Sequence, residues 1–392
     1  MGRSLAVISR SYRYRFYPTQ KQVHQLAKEF GCARYVYNRA LAYRSEAYKL
    51  RGERLNYVGL GKCVTDWKKT DADFLKEVTA CCLTQALIDL DKGFKNFFEK
   101  RAKYPRFKKK DNRQSVRYQL DQRIIATTYK PGFLRLPKLG EVKLAWSRMP
   151  TGIPKMATVS RDCAGRYWVS MSVSEEIQQL PMKAKSVGVD VGIKDVAVSS
   201  DGYHSGAPKF TRKYERKLAR QQRKLSRMVK GSNRWKDKKL TVAKVHAKIA
   251  DCRKDWTHKL THKLIAENGT IGMEDLNVKG MMANRRLSKA VADSGLFEFR
   301  RQIEYKAAWH GRTIVFADRW FASSKTCSCC GQIKADLKLS DRVYDCDCGL
   351  TIDRDENAAK NLLKLIEIPL GLGEVNVHRL PNKPEASRLE AA

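Results

Sequence analysis

Five of the eleven cysteines in this chain fall between positions 327 and 348, directly before an acidic run, Asp353 to Glu356, that opens an apolar-faced helix. A loop this polar has too little apolar surface to fold unaided, so a metal or a cross-link must hold it. Cys327 and Cys330 form a C-x-x-C pair followed by Gly331, and Cys346 and Cys348 form a C-x-C pair followed by Gly349. Structural Zn²⁺ takes four thiolate or imidazole ligands in a tetrahedron, offered as two pairs on tight turns, and a glycine after each pair supplies positive φ. The C-x-C pair is one residue shorter than the common form and leaves Cys329 as a substitute ligand or a free neighbour. Buried or disulfide-bonded thiols are the alternative, and the scattered Cys32, Cys63, Cys81, Cys82, Cys163 and Cys252 read as ordinary core residues. Four thiolates leave no open coordination position, so zinc here would be structural.

Acidic residues recur at the ends of apolar elements. In residues 185–202 two β-branched runs joined by Gly192 to Asp195 read as a hairpin, and Asp190 interrupts a strand that is otherwise apolar. An unpaired carboxylate there costs several kcal/mol, so it must meet positive charge. Thr270–Leu276 is a second short apolar run, ending in Glu274 and Asp275. Asp353 and Asp355 open a helix whose Ala358, Ala359, Leu362, Leu363 and Ile366 can lie close against a sheet. If they converge, such carboxylates offer the oxygen ligands that Mg²⁺ takes alongside waters and phosphates in a two-metal phosphodiesterase. Plainer roles are open too: Asp353 or Asp355 as a helix cap, Asp275 on a solvated turn, Asp195 or Asp201 as turn residues.

Charge points to a polyanionic partner. The 392 residues carry 78 Lys plus Arg against 41 Asp plus Glu, a formal charge of +37 that far exceeds what solubility needs. Such a surface binds nucleic acid with strong salt dependence and modest sequence preference. Residues 209–263 hold 20 basic against 4 acidic side chains, and residues 100–117 hold 9 against 1, interleaved with Tyr104 and Phe107. A solvated helix face explains some of these lysines but not blocks so one-sided. Basic residues alternating with aromatics suit a groove that follows phosphates and stacks bases. No run of about eighteen apolar residues occurs, so neither a membrane helix nor a cleavable signal is expected, and clustered thiols suit a reducing cytoplasm.

Local patterns outline the remainder. Arg10–Tyr17 alternates like a strand, Pro18 ends it, and Thr19 caps a helix expected through Leu41. Leu83, Leu87, Leu90, Phe94, Phe97 and Phe98 form one core stripe of a later helix. Strand patterning runs from about Ser115 to Val173, with a hairpin turn at Arg161–Gly165. Residues 208–264 read as a basic helical pair broken at Gly231–Ser232, Phe297–Trp309 as a helix, and Thr313–Phe316 as a buried strand. The end from Pro381 is expected to be disordered.

Taken together, YRFYPTQKQ near the start, FGCARYVYNRAL, FFEKRAKYPRFKKK, VGVDVGIKDVAVSSDG, GMEDLNVKGM, FRRQIEYKAAWHG and the block from SSKTCSCCG to NAAKNLL resemble the TnpB (OrfB) family. These are insertion-sequence-encoded, RNA-guided DNA endonucleases regarded as ancestors of type V CRISPR effectors. The matching segments run through almost the whole chain, and the C-x-C pair departs from the commoner C-x-x-C.

The resemblance implies an α+β multidomain protein. A wedge β-barrel would comprise 1–29 and 120–180, a helical recognition domain 30–119, and a RuvC-like nuclease domain of RNase H-like fold 181–325 and 350–368. A zinc-binding insertion that meets target nucleic acid would occupy 326–349, and a flexible tail 369–392. Asp190, Glu274 and Asp355 would be the catalytic, Mg²⁺-binding triad, and Cys327, Cys330, Cys346 and Cys348 the zinc ligands. An omega (right-end) guide RNA would pair with double-stranded target DNA beside a short transposon-adjacent motif, and one RuvC site would cut both strands. Gln85, Lys92, Gln114 and Ser115 are expected near the motif, and Arg106, Lys108, Lys109, Arg216, Arg220 and Arg223 on nucleic acid. One protein copy per RNA and a cytoplasmic, nucleoid-associated location are expected. RNase H-like folds also host strand transfer, so a transposase stays open, as does a guided binder or repressor without cleavage. The filled acidic positions argue against that last class.

Overall fold

The computed structural model describes residues 5–120, 132–338 and 340–367. Residues 121–131 of the expected wedge and the expected tail, 369–392, lie outside the described residues. The chain divides into two compact units, one of residues 9–175 and one of residues 1–8 with 176–392.

The strands lying wholly or mostly in the first unit are β1 (Leu5–Phe16), β2 (Gln114–Gln119), β3 (Phe133–Leu136), β4 (Gly140–Ala145), β5 (Met156–Arg161) and β6 (Tyr167–Gln178). They form a six-stranded, nearly closed sheet in the order β2-β5-β6-β1-β4-β3. The β5–β6 hairpin turns where expected, and its Cys163 is exposed, not core as the sequence suggested. Helix α1 (Gln20–Arg51) starts at a capping box between Thr19 and Gln22 and continues past Leu41 until Gly52 adopts the left-handed conformation. Nothing between Leu41 and Gly52 breaks it: no proline or glycine intervenes, and Ala47 is buried.

Helices α2 (Tyr57–Trp67) and α3 (Ala80–Phe98) complete this unit. Leu83, Leu87, Leu90 and Phe94 of α3 are buried, each contributing about 1.5–3 kcal/mol. The stripe ends there, because the last turn of the helix runs past the core. Phe98 is 70% exposed and stacks on Phe94, while Phe97 meets Tyr104 edge-on at 5.3 Å.

In the second unit, β7 (Ser186–Asp190), β8 (Val198–Ser199), β9 (Thr270–Glu274) and β10 (Thr313–Ala317) form a sheet in the order β10-β9-β7-β8. The first three neighbours run parallel and β8 antiparallel to β7. The helices are α4 (Phe210–Ser226), α5 (Asn233–Glu267), α6 (Val278–Ala283), α7 (Ser288–Ser294), α8 (Leu296–His310) and α9 (Arg354–Glu367). Strand alternation divides the sheet's two faces. Val187, Val189, Ile271, Met273, Ile314 and Phe316 pack with Leu260 and Leu264 of α5 and with Leu296, Phe299 and Ile303 of α8. The opposite face receives α9. A small antiparallel pair, β11 (Val343–Asp345) and β12 (Thr351–Asp353), leads straight into α9. Among the described residues, no helix is long and apolar enough to cross a membrane.

Candidate active site and metal knuckle

Asp190 ends β7 and Glu274 ends β9, and the parallel register Gly188↔Gly272, Val189↔Met273 sets the acids side by side at the carboxyl edge of the sheet. Alternation puts both acids on the same face as Gly188 and Gly272. A Cβ added to Gly188 would lie 1.9 Å from the Ala359 carbonyl oxygen, and one on Gly272 would lie 2.8 Å from that of Leu362. The α9 backbone therefore rests directly on the strands, an approach only glycine allows. From Ala359 back to Asp355 the helix rises about 6 Å, and from Gly188 to Asp190 the strand advances about 6.6 Å. Asp355 thus arrives level with Asp190, and the carboxyl edge of parallel strands is where open sheets of this kind hold ligands.

The electrostatics follow from this crowding. Burial holds the Asp190 carboxyl well above the usual range; Glu274 and Asp355 push it further, and Arg354 pulls the other way. Glu274 is likewise raised by burial first, partly relieved by the Ser323 hydroxyl that donates to its carboxylate, and raised again by Asp355. Asp355 accepts from the Arg354 guanidinium at 3.0 and 3.3 Å. The helix cap falls to Asp353, whose carboxylate accepts the amides of Asp355 at 2.9 Å and Glu356 at 3.3 Å.

The other acids have partners. Asp275 is gripped by Arg300 and by Arg319 at 2.9 Å, and the Arg300 contact chiefly holds its carboxyl below the usual range. Asp195 accepts the Gly206 amide at 2.7 Å, and Asp201 pairs with Lys185 at 2.7 Å, both stabilising turns. Asp190 and Glu274, by contrast, are partly buried carboxylates that neighbouring acids push up, and such an oxygen set fits Mg²⁺.

Each cysteine pair sits on a turn closed by a glycine amide, a five-residue turn at the first pair and a four-residue turn at the second. The Gly331 amide donates to the Cys327 carbonyl at 3.0 Å and the Gly349 amide to that of Cys346 at 2.9 Å, with φ of +79° and +89° at the two glycines. The four sulfurs of Cys327, Cys330, Cys346 and Cys348 all lie within 4.8 Å of one another, an arrangement that can hold a metal ion. No other set of three or more His, Cys, Asp or Glu ligand atoms is this compact among the described residues, so the carboxylates stand further apart. Cys329 is exposed and outside the set, its amide donating to the Cys327 sulfur at 3.4 Å. Burial opposes a thiolate at Cys327, yet the Cys330 and Cys329 amides and the neighbouring thiols bring it down to about 6. At Cys348 the Leu350 amide favours the anion, but the adjacent thiols outweigh it and push the group up to about 12. A cation would resolve that competition, and four sulfurs suit Zn²⁺.

Residues the sequence did not single out join the knuckle to the carboxylates. The Asn357 side chain donates to the Thr326 carbonyl at 2.7 Å and accepts the Ser328 amide at 2.9 Å. Asn361, one turn on, donates to the carbonyls of Ser323 at 2.8 Å and Thr326 at 2.6 Å. Ser323 in turn donates to Glu274. The i, i+4 asparagines in NAAKN, beside the alanine stripe, were the available signal.

The expected nucleic-acid residues divide between the two units. Arg216, Arg220 and Arg223 are exposed at i, i+4 and i+7 on α4, which buries no residue. Arg106, Lys109 and Ser115 are exposed as well. Lys108 lies 4.1 Å over the Tyr37 ring, and loss of water there lowers its pKa. Gln114 accepts from Arg34 at 2.7 Å, and its amide nitrogen donates to the carbonyls of Lys109, Lys110 and Asn112, closing the loop before β2. Gln85, on α3, accepts from Arg117 at 3.5 Å, and Lys92 lies on the same helix.

Known proteins match this arrangement along most of its length. A family described as "Probable transposase" (OrfB of IS605) matches residues 169–285, a "Cas12f1-like, TNB domain" family matches 297–362, and a "Helix-turn-helix domain" family of OrfB matches 7–53. In this structure the last segment is most of β1 followed by the single long helix α1. A Streptomyces pristinaespiralis protein named "Putative RNA-guided DNA endonuclease" is 43% identical over 361 residues, covering 91% of this chain and 89% of its own. The Escherichia coli K12 protein "Putative RNA-guided DNA endonuclease InsQ" is 31% identical, covering 97% and 98%. Among solved structures, that of a Cas12f1-sgRNA-target DNA complex superposes with a TM-score of 0.55 at 14% identity, covering 91% of this chain and 98% of that one, a likeness of fold. The chain belongs to the TnpB (OrfB) family of IS605-type elements.

Proposed function

We propose that the protein is a transposon-encoded, RNA-guided DNA endonuclease that hydrolyses both target strands at one Mg²⁺-dependent site formed by Asp190, Glu274 and Asp355. The observation that carries this is the meeting of those three acids at the carboxyl edge of β7 and β9 under the first turn of α9, in a chain whose relatives are named RNA-guided DNA endonucleases. Bound Mg²⁺ would activate water and neutralise charge developing on the phosphate.

The protein's own groups have distinct tasks. Asp190, raised by both neighbours, would hold the Mg²⁺ together with Glu274 and Asp355. Ser323 orients Glu274, and Arg354 orients Asp355. Zn²⁺ on Cys327, Cys330, Cys346 and Cys348 would fix the loop that Asn357 and Asn361 tie to α9. The wedge (1–29 and 120–180) and recognition domain (30–119) would hold the omega RNA and read the adjacent motif on duplex DNA, while base pairing selects the target. One copy per RNA, acting in the cytoplasm on the nucleoid, completes the reading.

Its test is to express the protein with the DNA that flanks its own gene, sequence the copurified RNA, and incubate the complex with Mg²⁺ and plasmids carrying randomised flanks. Guide-dependent linearisation that vanishes in Asp190→Ala is the expected result. Guided binding without cutting would make the protein a repressor, and the absence of a discrete RNA would return strand transfer to the front.

A further inference from the structure

Trp320 is 86% exposed, although a tryptophan normally buries most of its large apolar surface. It stands in the loop that leaves β10, whose last residue, Ala317, pairs with Glu274. At most about 10 Å of extended chain separates Ala317 from Trp320. The loop is pinned on both sides of the indole. The Trp320 amide donates to the Asp318 carboxylate at 2.8 Å, and Arg319 donates to Asp275, the residue after Glu274, at 2.9 Å. Three residues later, the buried Ser323 donates to Glu274 itself. The ring is therefore held out into solvent on a short, tethered support next to the carboxylates.

We infer that Trp320 is a stacking platform for an unpaired base of the DNA strand held at the carboxylate site, an inference that rests on the nuclease reading. Pairing of the guide with one target strand displaces the other, whose bases are then unpaired and offer open faces. Every base has a π-face, so an aromatic ring holds such a strand whatever its sequence, as guide-directed cutting requires. Ala317 pairs with Glu274 across about 5 Å and the loop adds at most about 10 Å, so the stacked base lies within a few nucleotides of the cut phosphate. Arg319 and Arg300, engaged with Asp275, keep the surroundings from being purely acidic.

The test is single-turnover cleavage by the RNA-loaded protein of targets carrying one abasic nucleotide, moved stepwise through the positions flanking the cut. In the wild type, one position should slow cleavage about tenfold. Trp320→Ala should slow the intact target by the same factor and show no further penalty at that position, while Trp320→Phe should retain most of the rate. Wild-type speed in Trp320→Ala, or an abasic penalty that persists in it, overturns the inference and leaves the nuclease reading standing. A wild-type complex that cuts nothing overturns the nuclease reading instead. Trp320 is then judged by fluorescence: quenching by a single-stranded oligonucleotide should be smaller in Trp320→Phe than in the wild type, and equal quenching excludes stacking.

Discussion

Gly188 and Gly272 face each other across β7 and β9, and the backbone of α9 lies on both. The pair sets how closely Asp355 approaches Asp190 and Glu274. Gly188→Ala would drive a methyl group into the Ala359 carbonyl, a backbone atom that cannot swing away, so destabilisation of about 1–3 kcal/mol or more is expected. Urea denaturation measures it, and an unchanged midpoint would show that α9 does not sit as described.

Asp190 is raised by burial and by Glu274 and Asp355, and Glu274 by burial and by Asp355, so their protonated forms suit the metal-free fold. For such groups the stabilisation is complete below the unfolded pKa and is lost as pH rises through the raised folded values. Asp190→Asn should therefore match the wild type in acid and become the more stable protein, in chelator, as pH climbs above the ordinary carboxylate range. Thermal melts across pH read the difference. Mg²⁺ should stabilise only the wild type substantially, and increasingly so over the same climb.

Ser323→Ala removes the hydroxyl that orients Glu274 and holds its pKa down. A hydrogen bond to a charged group is worth about 1.5–3 kcal/mol, so a ten- to hundredfold higher Mg²⁺ requirement is expected, with the fold intact. The Mg²⁺ dependence of cleavage checks this, beside a circular dichroism melt.

Zinc analysis separates the five clustered cysteines. Cys348→Ser should lose the metal and melt earlier, because its sulfur lies 3.7 Å from that of Cys327 within the compact set. Cys329→Ser should keep one zinc per chain. Mass spectrometry of native protein decides both.

Arg216, Arg220 and Arg223 line one face of a helix that buries nothing. If all three contact phosphates of a single strand, replacing them with Ala should lower the slope of log affinity against log salt by about 2. Filter binding of the guide RNA across salt concentrations measures that slope.

Much of this site could be read along the chain. Asp190 and Glu274 stood out because each terminates an apolar run, and period two ties each to a glycine two residues earlier, Gly188 and Gly272. The paired cysteines and their trailing glycines carried the knuckle in the same way. The clamp of Ser323, Asn357 and Asn361 was less legible, since its bonds span 29 to 49 positions and involve residue types that decorate any surface. Gln114 shows the converse ambiguity: a polar residue in a basic stretch suits a nucleic-acid groove, yet its amide closes a loop. Phe98 continued an apolar stripe that has no core left to meet.

Helix α9 meets the sheet through Ala359 and Leu362 and the knuckle loop through Asn357 and Asn361. The knuckle is consequently not a cassette. A chimaera that exchanged only the cysteine segment between relatives would mate a foreign loop to asparagines spaced for this one, so the smallest transferable part runs from Ser323 to the end of α9.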